Sequence, residues 1–390
     1  MVERLIAERL HRSRKSLLLL GPRQVGKSTL CRTLKPVCTI NLADEREFLR
    51  FSKDPQQLEQ ELAALRKPGL IFIDEVQRVP ALLNTVQMIL DKGEKGLRFL
   101  LTGSSARKLR RGGVNLLPGR VILEYLDPLS CLELEEPLDL RRALQVGMLP
   151  GIYLGDEESV DVLETYVEVY LREEIRAEAL TKNVGGYARF LDVTAVLSGS
   201  WLNYSKISSD TEIPKETVRR FVALLEDTLL LFRIPPFHPK RKISRRISQR
   251  EKILLFDVGV RNSLLDLHRR PITQDQMGTV FEQWFSLQVI GLVRALKKGW
   301  NLSSYRTESG AEVDLVLERD SDIVAIEIKA SRNVGPADLR GLQSLEQTVG
   351  RYKPVRKRVA ALVDRRRRLE NRVEVVPYLD LLKDLRDDRM

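Results

Sequence analysis

The sequence has few cysteines, few histidines and no long apolar run. Its three cysteines, Cys31, Cys38 and Cys131, have neither an even count nor a metal-type spacing. That excludes a disulfide framework and a cysteine zinc site, and predicts reduced packing residues. The three histidines, His11, His238 and His268, are scattered, so no histidine-based catalytic or zinc site is expected. No apolar run approaches the ~18 residues that a membrane span needs. The first residues, "MVERLIAERLHRSRKS", are charged throughout and do not read as a secretory signal. A cytoplasmic protein without a membrane partner is the expectation.

What is present is a chain of 390 residues, long enough for two or three domains with proper cores. Apolar residues make up 43%, which argues against disorder. Lys and Arg number 65 against 54 Asp and Glu, a net charge of +11. That excess suits an anionic partner, or simply a soluble basic surface.

Near the start, "GPRQVGKST" spans Gly21 to Thr29 and contains a full G-x-x-x-x-G-K-[ST] pattern. Gly21 and Gly26 would let the backbone curl so that N–H groups along Gly21, Pro22, Arg23, Gln24, Val25 and Gly26 surround phosphates, proline excepted. Lys27 would neutralise the β- and γ-phosphates, the Ser28 hydroxyl would ligate Mg2+, and Thr29 would continue the loop into a helix. The context agrees: "SLLLL" before the motif reads as a buried parallel strand and "STLCRTL" as the helix after it.

A second apolar strand, Leu70 to Ile73, ends in Asp74 and Glu75. A carboxylate at such a strand end can hold Mg2+, which suits Asp74, and the next can orient or deprotonate water, which suits Glu75. The alternative is an acidic cap on a buried strand. A third strand, Leu97 to Leu101, leads to Thr102, Gly103, Ser104 and Ser105, where a polar group would adjoin the γ-phosphate or merely cap a helix. Arg120, just before a strand at Val121–Tyr125, could stabilise transition-state charge in cis or from a neighbouring subunit, with Arg107 as its rival and a plain surface arginine as the alternative.

Together "GPRQVGKST", "IFIDEVQRVP", "LLTGSSARKL" and "LPGR…LDPLS" resemble an AAA-type ATPase. More narrowly, they resemble a family of bacterial and archaeal ATPases that pairs an AAA core with a C-terminal half long catalogued as a domain of unknown function. The resemblance implies ATP and Mg2+ binding, ATP hydrolysis and a tendency to form rings or other homo-oligomers. It names no substrate.

The middle of the chain is helical. "DVLETYVEVYLREEIRAEAL" (Asp161 to Leu180) has apolar residues close to a 3.6 period. "YSKISSDTEIPKETVRRFVALLEDTLLLFRI" (Tyr204 to Ile234) reads as helix, turn, helix and wing, an order that resembles a winged helix-turn-helix. A DNA-binding version would turn Lys215, Thr217, Arg219 and Arg220 to groove or phosphates; the same fold could instead mediate protein contact. "PKRKISRRISQREK" follows, with Lys240, Arg241, Lys242, Arg245, Arg246, Arg250 and Lys252. It would track a phosphate backbone or form a solvated loop.

The C-terminal part opens with an amphipathic helix, Gly278 to Leu296, bearing Glu282. An antiparallel pair of strands joined by "RDSD" should follow, carrying Asp314 on the first and Glu327 and Lys329 on one face of the second. The order helix-Glu, hairpin-Asp, strand-ExK resembles the PD-(D/E)XK nuclease core. It implies Mg2+ or Mn2+ on Glu282, Asp314 and Glu327, with Lys329 positioning water. "VD" stands where "PD" is usual. The basic run Arg351 to Arg372 is a second candidate anion footprint.

The fold expected is α/β. It comprises a three-layer P-loop NTPase core over 1–127 and a helical lid and winged-helix region over 128–270. A restriction-endonuclease-like α/β domain over 271–390 completes it. The function expected is an Mg2+-dependent ATPase that binds and acts on DNA. The alternatives are a regulatory switch that binds protein partners through an inactive nuclease-like domain, and a DNA translocase without cleavage.

Overall fold

A computed structural model describes residues 2–65, 67, 69–93, 96–105, 117–155, 158–174, 184–239, 247–320, 322–350 and 353–390. The chain divides into two compact units, Met1–Leu129 with Leu224–Leu230, and Ser130–Ala223 with Leu231–Met390.

The first unit is built on a parallel sheet of β1 (Ser16–Leu20), β2 (Cys38–Asn41), β3 (Leu70–Asp74), β4 (Arg98–Gly103) and β5 (Val121–Tyr125), in the order β2-β3-β4-β1-β5. The inner strands β1, β3 and β4 read as apolar runs because neighbours cover both faces, and every residue of β1 is buried. Leu18, Leu20, Ile71, Ile73, Phe99 and Leu101 join Leu82, Leu83 and Val86 of helix α2 (Leu82–Asp91) in one core. The phosphate-type loop leads from β1 into helix α1 (Lys27–Thr33). Since β4 lies between β1 and β3, the sheet opens a crevice where those strands end. Register aligns Leu20 with Gly103 and Ile73 with Leu101, so the loop, Asp74 and Thr102 emerge at one edge.

In the second unit, helix α3 (Leu140–Val146) packs on helix α6 (Val258–Leu264) at very close range. A Cβ on Gly259 would lie 2.0 Å from the Val146 carbonyl oxygen, so only glycine permits this approach. The helix expected over Asp161–Leu180 is α-helical from Ser159 to Thr165 and then widens into a π-helix, Tyr166–Glu174. The wider turns keep Tyr166, Val167, Tyr170 and Leu171 buried, with the two tyrosine rings edge-to-face at 5.0 Å. Ile175 to Leu180 lie outside the described residues.

Helix α4 (Tyr204–Thr211), a turn through Glu212 at φ 56°, helix α5 (Lys215–Asp227) and the antiparallel pair β6 (Leu231–Ile234) and β7 (Lys252–Leu255) follow in that order. Helix α7 (Gln274–Leu296) differs from the expected stripe, because Gln283, Trp284, Ser286, Gln288 and Ile290 are buried as well as Phe281, Phe285, Val289 and Leu292. It is enclosed on several sides, and two of its glutamine oxygens find donors there: Gln283 accepts from Ser198 Oγ and Gln288 from the Cys131 amide, each at 2.7 Å.

The last part is a mixed sheet, β12-β13-β11-β10-β9-β8. Its strands are β8 (Asn301–Arg306), β9 (Glu312–Arg319), β10 (Asp322–Lys329), β11 (Val355–Ala361), β12 (Arg367–Arg368) and β13 (Val373–Pro377). The β9–β10 hairpin turns at the expected place, pairing Asp322 with Arg319. Glu327 and Lys329 of β10 share a face and meet at 2.9 Å, and Ile323 to Ile328 are all buried, since helix α8 (Arg340–Val349) covers one face and α7 contacts the strand too. Arg356, Lys357, Arg358 and Arg366, read as part of an anion footprint, are engaged with Asp322, Glu346, Glu374 and Asp384.

Candidate functional site

Two groups of side chains stand out, one in each unit. In the first, Gly26 is left-handed (φ 91°) and Gly21 has its position closed to any side chain, because a Cβ would lie 2.2 Å from the Leu126 carbonyl oxygen. The glycines are thus required by the loop's own geometry. Lys27, 5% exposed, donates to the carbonyl oxygens of Gly21 (2.9 Å) and Pro22 (2.8 Å). Burial lowers its pKa to about 8, against the pull of Glu75 and Asp74 toward the charged form. A buried ammonium with only carbonyls as hydrogen-bond acceptors suits an arriving polyanion, which would favour its charged form. Ser28 is half-buried in the first turn of α1, and Gln24 (φ 63°) and Thr29 are exposed.

Asp74 and Glu75 are tied to β4 through one hydroxyl. Thr102 Oγ1 donates to Asp74 Oδ1 in a close contact and accepts from the Glu75 amide at 3.1 Å. Glu75 has a left-handed backbone (φ 56°), an uncommon conformation for a residue with a side chain. Its carboxylate accepts from the Gln77 amide, which also donates to Ser104 Oγ at 2.9 Å. Thr102 therefore sits where the strand-end reading expects it, and Ser104 joins the network.

Sequence reasoning missed Arg4 and Gln77. Arg4 Nη1 donates to the Val25 carbonyl and Nη2 to the Asp127 carbonyl, both at 2.7 Å, so it straps the loop to the chain following β5. No spacing rule links residue 4 to residue 25. Gln77 lies within the quoted "IFIDEVQRVP" run, but only the fold turns its amide to Glu75. Arg120 pairs with Asp91 at the protein surface (Nε to Oδ1, 2.5 Å). Arg107 lies outside the described residues.

In the second unit, Lys215, Arg219 and Arg220 are exposed on the first turns of α5, with Thr217 half-buried among them. Arg219 contacts Glu216 (2.8 Å) and lies over the Tyr204 ring. Lys240, Arg241, Lys242, Arg245 and Arg246 lie outside the described residues.

The acidic residues meet, but around a cation that the chain itself supplies. Lys252 Nζ is 2.5 Å from Glu282 Oε1, 3.6 Å from Asp314 Oδ1 and 3.8 Å from Glu312 Oε1, and its side chain is 3% exposed. Burial works against its charge, and the surrounding carboxylates more than offset that, holding the ammonium above its usual range. Because carboxylates outnumber the ammonium, Glu282 is nonetheless pushed up to about 7 by burial and by Asp314. Asp314 Oδ2 accepts from the Ile328 amide at 2.8 Å. Glu327 has Lys329 at 2.9 Å from its Oε1. Its Oε2 is buried without a hydrogen-bond partner, and burial together with Asp314 pushes its pKa up to about 8. Among the described residues no three His, Cys, Asp or Glu side chains are placed to share a metal ion. The expected metal set of Glu282, Asp314 and Glu327 is thus not assembled. Lys252, read in the sequence as the end of a phosphate-tracking run, is buried among carboxylates instead.

Residues 13–135 match the family described as an AAA domain, and the first unit carries an AAA-type ATPase domain, which implies a nucleotide and typically Mg2+. Residues 137–270 and 277–381 match two domains of unknown function, DUF8612 and DUF4143. An uncharacterized protein of Mycobacterium tuberculosis is 27% identical over 341 residues, covering 86% of this chain and 74% of that protein. An uncharacterized protein of Methanocaldococcus jannaschii is 22% identical over 396 residues, covering 87% and 81%. Among solved structures, a RuvB variant of Thermotoga maritima is 17% identical, with 59% of this chain and 87% of that chain covered and a TM-score of 0.30. A signal transduction ATPase with numerous domains from Pyrococcus horikoshii, which carries a tetratricopeptide repeat sensor, is 14% identical over 76% and 47% with a TM-score of 0.26. No helix among the described residues is long and apolar enough to cross a membrane.

Proposed function

We propose that this chain is an Mg2+-dependent ATPase of the AAA type that binds and acts on DNA. One observation carries the ATPase half: a single hydroxyl, Thr102 Oγ1, holds Asp74 and the Glu75 amide on strands that end beside the glycine loop. In this reading the loop from Gly21 through Thr29 encloses the phosphates. Lys27 exchanges the carbonyls of Gly21 and Pro22 for the β- and γ-phosphates. Ser28 and Asp74 would hold Mg2+, which when bound neutralises phosphate charge. Glu75 orients the attacking water and accepts its proton, its carboxylate steadied by Gln77. Arg120, in cis or from a neighbouring copy in a homo-oligomer, stabilises transition-state charge after leaving Asp91.

The DNA half rests on the exposed Lys215, Arg219 and Arg220, on a helix that follows a tight turn as in a winged helix-turn-helix, with the 240–246 segment adding charge. Residues 1–127 would power a middle region, 128–270, and a restriction-endonuclease-like part, 271–390, that grips the target. A second reading, a switch that binds protein partners, draws support from Arg356, Lys357, Arg358 and Arg366 of the C-terminal part being engaged in ion pairs.

The test is the ATPase rate with and without duplex, single-stranded and branched DNA, on wild type and Glu75→Gln. Stimulation by one DNA form, with hydrolysis lowered at least about 100-fold in the variant, is expected. Hydrolysis indifferent to every nucleic acid would transfer the reading to the protein-partner switch. Undiminished hydrolysis in Glu75→Gln would remove Glu75 from the chemistry.

A further inference from the structure

We propose that Lys252 is a built-in cation standing where a divalent metal would bind between Glu282 and Asp314, so that the C-terminal centre takes no metal while β7 is seated. This deepens the nuclease-like reading of residues 271–390 and rests on it.

Lys252 enters the cluster from β7, outside the α7 and β9–β10 framework that carries the acidic residues. It is held there by pairing on both sides: Ile234 opposite it in β6, and a bridge to Trp201. Its ammonium lies at 2.5 to 3.8 Å from one oxygen each of Glu282, Asp314 and Glu312, all of them side chains on α7 and β9. Lysine is rarely buried to this degree unless paired, and here its pairing is entirely with carboxylates.

Mg2+ or Mn2+ bound to Glu282 and Asp314 would need oxygen contacts of about 2.0–2.2 Å, which puts the ion in the space that the ammonium fills. Two cations cannot share it: the electrostatic repulsion in a buried setting outweighs what the same carboxylates return to each. One tethered charge of +1 also leaves the site under-neutralised, in keeping with the upward push on Glu282 and Glu327. Glu327 and Lys329, the ExK pair, bond each other at 2.9 Å. The centre as folded therefore joins β7 to α7 and β9 and does not cut. Cleavage would require β7 to leave its place.

The experiment measures Mn2+ binding by electron paramagnetic resonance, and melting temperature with Mn2+ or with EDTA. It uses the nucleotide-free full chain in a Ser28→Ala background that silences the phosphate loop. Wild-type Lys252 should bind no Mn2+ below about millimolar concentration and melt at the same temperature in both conditions. Lys252→Met should melt at least about 5 °C lower in EDTA. Mn2+ should restore most of that loss, with binding at least about tenfold tighter. Nucleotide-free Mn2+ binding by the wild type, abolished by Asp314→Asn, overturns the proposal and leaves the metal-centre reading standing. A folded Lys252→Met that gains no Mn2+ site overturns both. Should Lys252→Met not fold, Lys252→Met/Glu282→Gln decides: recovery of a wild-type-like melt supports charge compensation by Lys252, and failure to recover refutes it.

Discussion

At the scale of single residues, the ATPase reading depends on groups that are ordinary in isolation and unusual in company. Thr102 is one. Its hydroxyl is fully buried, donates to Asp74 and accepts from the Glu75 amide. Thr102→Val keeps the strand's shape and removes both bonds, leaving a buried carboxylate oxygen and a backbone N–H unsatisfied, a loss of about 1–3 kcal/mol in how firmly the acidic pair is held. The expected result is a kcat lower by about 10- to 100-fold with ATP affinity changed less than about threefold, read by steady-state kinetics and nucleotide titration. An unchanged kcat would reduce Thr102 to a packing residue. The loop from Gly21 to Thr29 and the Asp74–Glu75 pair were legible in the sequence because each is a contiguous string whose meaning is local. Arg4 and Lys252 were not: their partners lie 21 to 123 residues away along the chain, and in a string both are simply basic.

At the scale of elements, the reading of strands as unbroken apolar runs succeeded where both faces are covered, as in β1, β3 and β4. It did not foresee that β10, whose Glu327 and Lys329 share one face as read, is buried from Ile323 to Ile328 under α7 and α8. Periodicity likewise missed the π-helix after Thr165, since its extra residue per turn leaves the tyrosines apolar and buried as an α-helix would. The junction of α3 and α6 shows what no pattern announces. Asp257, fully buried, caps α6 by accepting from Gly259 (2.8 Å) and Val260 (3.1 Å), and from Met148 at 2.7 Å. Burial pushes its pKa up to about 6, and those three N–H donors oppose the push. A carboxylic acid whose folded pKa exceeds its unfolded value binds its proton more tightly when native. Its contribution is thus greatest below about pH 4 and is lost as pH rises through about 6. The shift is worth about 3 kcal/mol across that window. Urea unfolding at pH 4.5 and 7.5 should therefore show wild type losing roughly 2 kcal/mol relative to Asp257→Asn as pH rises. A pH-independent difference between the two proteins would show that Asp257 stays ionised in the fold.

At the scale of the whole molecule, the net charge of +11 has to be weighed against where the charge is used. Much of it in the C-terminal part is neutralised locally, by Glu346, Glu374, Asp322 and Asp384. Lys252 is buried among the carboxylates of Glu282, Glu312 and Asp314. An anion footprint read from composition therefore overestimates what is free, while Lys215, Arg219 and Arg220 at the start of α5 stay exposed. This gives the DNA reading a quantitative form. Each phosphate neutralised releases counterions, so the logarithm of the association constant falls with the logarithm of salt concentration by about 0.9 per contact on duplex DNA. If Lys215, Arg219 and Arg220 each meet a phosphate, Lys215→Ala/Arg219→Ala/Arg220→Ala should flatten that slope by roughly 2 to 3. The ATPase rate without DNA should be unchanged, because these residues belong to the second unit and the nucleotide crevice to the first. The same measurement separates the two functional readings. A wild-type slope near zero would mean that the exposed lysine and arginines meet no phosphates, and the partner gripped by this half of the chain would then be a protein.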